Sequence, residues 1–73
     1  MNETPVTGRA RVFAEPDYRY GAGELRLVIE HIDRAHPQRY DGETWYEVRG
    51  TQVTDTGQPL GPRQVYVRAD RLT

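Results

Sequence analysis

The sequence predicts an all-β chain, a small barrel of about five strands with a 3₁₀ turn near its C-terminus. Three observations predict it. Trp45-Tyr46-Glu47-Val48-Arg49 alternates ring and β-branched side chains with charged ones, and Gln64-Val65-Tyr66-Val67-Arg68 does the same. Between them, Asp55, Gly57, Pro59, Gly61 and Pro62 mark a turn region. The whole chain has 73 residues, which allows one domain, and a chain of that size buries only about 60% of its unfolded surface. The expected division is a flexible lead over residues 1–8 and one barrel domain over residues 9–73.

Taken in order, Arg9 to Ala14 alternates weakly and reads as a first strand with Val12 or Phe13 inward, but not both. Pro16-Asp17 ends it. Tyr18 to Gly23 reads as a loop or irregular hairpin carrying two tyrosines. Glu24 to Asp33 is the longest apolar run. Leu25, Leu27 and Ile29 share one face at period two, and Ile32 falls out of phase, which predicts a bulge near Glu30-His31. Leu25, Val28, Ile29 and Ile32 also fit helical spacing, so a helix is the alternative; the short run and its flanking glycines favour a strand. Ala35 to Thr44 reads as a polar loop with an Asp41-Gly42 turn signal. Trp45 to Val53 is the next strand, with Tyr46 and Val48 inward and Trp45, Glu47 and Arg49 outward. Thr54 to Pro62 is the turn region, and Gln64 to Arg68 closes the sheet with Val65 and Val67 inward. Ala69-Asp70-Arg71 fits a single 3₁₀ turn before Leu72. Aliphatic core candidates are Val12, Leu25, Leu27, Ile29, Val48, Val65, Val67 and Leu72, joined by Phe13 and Tyr46.

Composition narrows the functional classes. There is no cysteine, which removes disulfides, thiol nucleophiles and Cys-based zinc sites. No apolar stretch approaches the roughly 20 residues that span a bilayer. Met1 to Pro5 has neither the basic start nor the apolar run of a signal peptide, so a soluble cytoplasmic protein without membrane contact is expected. Net charge is −1, and all ten basic residues are arginines. A GC-rich genome is the favoured explanation of such a bias; selection for bidentate contacts to carboxylate or phosphate is the sharper alternative. His31 and His36 match no metal-ligand spacing, and no nucleophile–base arrangement or cofactor motif stands out. Neither catalysis, nor a metal, nor a cofactor is expected.

The order of three short pieces resembles an SH3 domain or its bacterial SH3-like relatives. Gly23-Glu24-Leu25-Arg26-Leu27 is similar to the strand after the RT loop, and Trp45-Tyr46-Glu47-Val48-Arg49 to the paired-aromatic strand after the n-Src loop. Val65 to Leu72 is similar to the final strand, 3₁₀ turn and last short strand. Peptide-binding members carry a tyrosine-rich Ala-Leu-Tyr-Asp-Tyr segment, a Trp, and a Pro and Tyr near the turn. Trp45 matches the Trp, but Arg68 and Arg71 occupy the Pro and Tyr positions, and Val12 to Pro16 lacks the tyrosine segment. The resemblance therefore implies the barrel and not a ligand of proline rings, which needs flat aromatic walls.

The rings are the clearest functional clue. Five tyrosines, one tryptophan and one phenylalanine serve a small aliphatic core. They either lid that core or form a docking surface of Trp45, Tyr66, Tyr18 and Tyr20 rimmed by Arg68 and Arg71. The first expectation is a protein-interaction module or adaptor subunit binding a protein partner through that surface. The alternative is a nucleic-acid-binding barrel of the KOW or Tudor type, with Arg9, Arg11, Arg26, Arg49 and Arg68 on phosphates and the rings on bases. Interleaved Glu24, Glu30 and Glu47 weaken it. Self-association through a strand edge is a further expectation.

Overall fold

Four residues, Ala14 to Asp17, carry the chain from one edge of its sheet to the other. A computed structural model describes residues 9–72. Its five strands are β1 (Ala10–Phe13), β2 (Tyr18–Arg19), β3 (Leu25–Tyr40), β4 (Glu43–Val53) and β5 (Pro59–Arg68). All pair antiparallel in the order β1-β3-β4-β5-β2. Laid flat, the outermost two of five strands stand about 19 Å apart, four spacings of about 4.8 Å. The link between them includes a 3₁₀ turn, Glu15–Asp17, which rises only about 2 Å per residue. It cannot span a flat sheet. The sheet has to curl into a nearly closed barrel, the all-β architecture expected from the strand pattern. The anticipated lead over residues 1–8 lies outside the described residues.

In β1 the choice between Val12 and Phe13 goes to Phe13, which is buried, and Val12 stays exposed. Leu25, Leu27, Val48, Val65, Val67 and Leu72 fill the core with Phe13, and Ile29, Ile32 and Tyr46 pack against it. Tyr18, expected in a loop, belongs to this core, its hydroxyl donating to the Gly23 carbonyl at 2.9 Å. The second 3₁₀ turn, Ala69–Arg71, folds the chain so that Leu72 returns to the interior.

The Leu25–Ile32 stretch is strand, not helix. Ile29 pairs with Gly50 and His31 with Arg49, leaving Glu30 as the extra residue. This bulge shifts the alternation by one, so Ile32 lies opposite Val48 and against the core. Gly50 permits the bend: a β-carbon there would collide with the Val28 carbonyl oxygen. Beyond Asp33 the structure corrects the expected loop. β3 runs on to Tyr40, with Gln38, Arg39 and Tyr40 paired to Trp45, Thr44 and Glu43 after a second irregularity between Asp33 and Gln38. Only Asp41-Gly42 turns, at φ 55° and 79°, the left-handed pair of a two-residue hairpin. β5 likewise starts earlier than expected, and the turn contracts to the segment between Val53 and Pro59, where the Thr54 and Gln58 backbones join at 2.9 Å. None of the described residues forms a helix long and apolar enough to cross a membrane.

Overpacking a tight contact costs about 1–3 kcal/mol, and for a domain of this size each kcal/mol moves Tm by roughly 4–8 °C. Gly50→Ala is therefore expected to melt roughly 5–20 °C lower, measured by circular dichroism. An unchanged Tm would contradict the close approach of β3 and β4 at the bulge.

Candidate functional site

Curling the sheet swings the segment from Pro16 to Gly23 against the outer arm of the β3–β4 hairpin, and a groove opens between them. Trp45 forms its floor. It lies on the outer phase of β4 as expected, yet its ring is buried, with Nε1 donating to the Tyr40 carbonyl at 3.3 Å. Its cover is Arg19, whose guanidinium carbon lies 3.6 Å from the Tyr40 ring centre and 5.9 Å from those of Trp45 and Tyr20. Stacking of this kind joins the positive guanidinium to the electron-rich ring faces. Tyr20 and Tyr66 make the second wall, edge to face at 5.8 Å and 77°.

Tyr20 stands in an unusual backbone position. Its φ is 79°, and it is 69% exposed. A bulky residue in the left-handed region is an outlier that its surroundings must enforce. Arg63 enforces it: one nitrogen donates to the Tyr20 carbonyl at 3.0 Å and the other to Gln52 Oε1 at 2.7 Å. Next to it Gly21 has no room for a side chain, since a β-carbon would sit 2.7 Å from the Tyr18 ring.

Two adjoining depressions share Arg19, Tyr20, Tyr40 and Trp45. The larger, about 560 Å³, reaches Pro16, Tyr18, Asp41, Glu43 and Arg68. The smaller, about 240 Å³, reaches Gln38, Arg39 and Tyr66. Of the residues expected to bind a partner, Trp45, Tyr66, Tyr18, Tyr20 and Arg68 thus border one groove, and Arg71 borders neither depression. Tyr20 and Tyr66 offer their rings, whereas Tyr18 and Trp45 mainly support them from below.

Arg68 and Arg71 are engaged by acids rather than standing free at the rim, and they share Asp17. Arg68 meets Asp17 at 3.6 Å, Glu43 at 3.5 Å and Asp70 at 3.1 Å, and Arg71 meets Asp17 at 3.3 Å. The Arg68 Nε is buried without a hydrogen-bond partner among the described residues. Arg11 completes the clasp by donating to the Arg71 carbonyl at 2.6 Å. These contacts tie both 3₁₀ turns to the end of β5. Arg49, expected on phosphate in the alternative reading, pairs with Glu47 at 3.6 Å.

Arg19 and Tyr40 escaped the sequence reading. Tyr40 had a usable signal: a two-residue turn at Asp41-Gly42 sets Gln38 opposite Trp45, and two residues on Tyr40 shares that face. Arg19 had none, because its position over Tyr40 arises from barrel closure.

Among the described residues no group of three or more histidine or acidic side chains is placed to hold a metal ion. Compared with known proteins, the chain matches no family model, no curated protein and no solved structure.

Away from the groove, where β3 leaves register, His36 Nδ1 lies 3.2 Å from the Asp33 carboxylate, which also accepts from the Ala35 N–H at 3.1 Å. The His36 hydrogen bond holds the Asp33 carboxyl below the usual aspartate range; desolvation opposes it, and the weaker Ala35 N–H bond and the His36 charge add to the lowering. A carboxyl so depressed supports the fold above its unfolded pKa and stops doing so as pH falls through its folded value. In an NMR titration Asp33 is expected to have a midpoint below that of an ordinary aspartate, and His36→Ala to raise it. An ordinary midpoint in both proteins would remove the pair.

Proposed function

We propose that this chain is a non-enzymatic protein-interaction module, an SH3-like barrel at the level of fold, which receives an extended segment of a partner protein in the Tyr20–Tyr40 groove. A cytoplasmic location belongs to the same proposal; a chain without cysteine is compatible with a reducing compartment. The observation that carries the reading is Tyr20, a ring held in solvent at a backbone angle that costs of order 1–3 kcal/mol. The core gains nothing from that ring, and Tyr40 beside it is also exposed. Tyrosine and tryptophan with arginine between them make up the composition enriched at binding hot spots. The barrel resemblance is supported by the five-strand antiparallel order and the closing 3₁₀ turn.

The other readings have less support. The free edge of β3 beyond Val28 is interrupted by two irregularities and Pro37, and that of β5 by Pro59 and Pro62; both devices discourage edge pairing with a second copy. For a nucleic-acid partner, ion pairs already engage Arg49 and Arg68.

Tyr20→Gly separates binding from folding, which a change at buried Trp45 would not. Glycine removes the backbone strain but also the edge-to-face contact, worth about 0.5–1.5 kcal/mol, so Tm is expected to stay within a few degrees. Peptides selected from a random display library on the immobilised protein are expected to lose about tenfold or more in affinity for this variant. Selection of no peptide, or equal binding to both proteins by fluorescence anisotropy, would refute the docking groove.

A further inference from the structure

We infer that the smaller half of the groove reads a carboxylate, so that its occupant is an acidic extended segment of the partner protein; this rests on the groove being a protein-docking site. Within the groove the arginines divide into two kinds. Arg68 is surrounded by the acids Asp17, Glu43 and Asp70. Arg19 and Arg39 form no ion pair with any described carboxylate. Arg39 donates only to neutral oxygens, Thr44 Oγ1 at 2.9 Å and the Gly42 carbonyl at 3.5 Å. Among the described residues the Arg19 side chain makes no hydrogen bond or ion pair and lies against the rings of Tyr20, Tyr40 and Trp45.

Both of these arginines line the smaller depression, whose other residues are Gln38, Tyr20, Tyr40, Tyr66 and Trp45. Among the described residues no acidic one borders it, in a chain where acids outnumber bases eleven to ten. The Arg19 guanidinium carbon lies 3.6 Å from the Tyr40 ring centre, and its N–H groups make no hydrogen bond or ion pair among the described residues; a planar N–H fork of this kind matches the two oxygens of a carboxylate. Once a segment is seated, it and the flanking rings displace water and raise the electrostatic reward for a matching charge. A volume of about 240 Å³ accommodates an acidic side chain together with the backbone that carries it. Gln38 supplies a neutral donor and acceptor for that backbone.

Charge complementarity selects a peptide over a nucleic acid. A single carboxylate reaches Arg19 and Arg39 without meeting the acids next door. A phosphate backbone continues past the pocket, and in the larger depression it runs against Asp41 and Glu43.

The test uses the whole chain and random peptide display. Enriched peptides are expected to carry Asp or Glu, to bind more weakly as salt rises, and to lose about tenfold in affinity with Arg19→Gln and with Arg39→Gln. Arg19→Lys, which keeps charge without the planar fork, is expected to fall between wild type and Arg19→Gln, and Arg49→Gln to bind as wild type. Should Arg19→Gln fail to fold by circular dichroism, exposed Arg39 carries the test alone. Acid-free peptides that depend on Tyr20 but not on Arg19 or Arg39 would overturn the carboxylate pocket and leave the docking groove standing. Peptide binding independent of Tyr20 would overturn both. A mixed-sequence single-stranded oligonucleotide that displaces the peptides, and that Arg19→Gln releases, would show the occupant to be nucleic acid.

Discussion

The link from Phe13 to Tyr18 is too short to join the edges of a flat sheet, and the rest of the structure follows from that shortness. It forces the sheet to curl, and curling gathers the inward faces of β3, β4 and β5 around Leu27, Val48, Val65 and Val67, all without exposed surface. It also throws Arg19 and Tyr20 across the barrel onto the β3–β4 arm. The Asp17, Arg68 and Arg71 cluster lies at the same seam. Partly exposed ion pairs of this kind contribute modestly to stability; here they fix the angle at which the short link meets the end of β5. One closure therefore makes both the core and the groove.

What was legible in the sequence follows the periodicity of burial. Ile32 out of phase announced the bulge at Glu30 because one face of that strand is in the core, and any slip of register shows at once. The outer part of β3 has no such signature. Arg34 to Tyr40 is exposed throughout, so the period-two pattern vanishes and a strand reads as a loop. Tyr18 was hidden for a different reason: a two-residue strand is too short to alternate, and only its pairing with Val67 turns the ring inward. The floor of the groove was half visible. Trp45 sits on the outer phase, but its burial under Arg19 depends on a contact between segments far apart in the chain.

The core and the groove draw mostly on different residues of this small domain. Core-facing positions are filled by aliphatic side chains together with Phe13 and Tyr18, and Gly50 lets two strands approach closely. The features that lower stability collect at the groove and its rim: a tyrosine at positive φ and an unpartnered buried nitrogen on Arg68. Such features persist where the surrounding fold over-determines them. Arg63, hydrogen-bonded to both Gln52 and the Tyr20 carbonyl, shows how the strand framework holds the displayed ring in place.

Proton NMR of the free protein tests the closure most directly. If the short link folds the sheet as described, the Arg19 δ-methylene protons are shifted upfield by the Tyr40 ring, and nuclear Overhauser contacts join Tyr20 to Tyr66. Arg19 shifts at random-coil values, with no contact between those two tyrosines, would mean that the loop does not lie on the hairpin arm and that the groove does not exist.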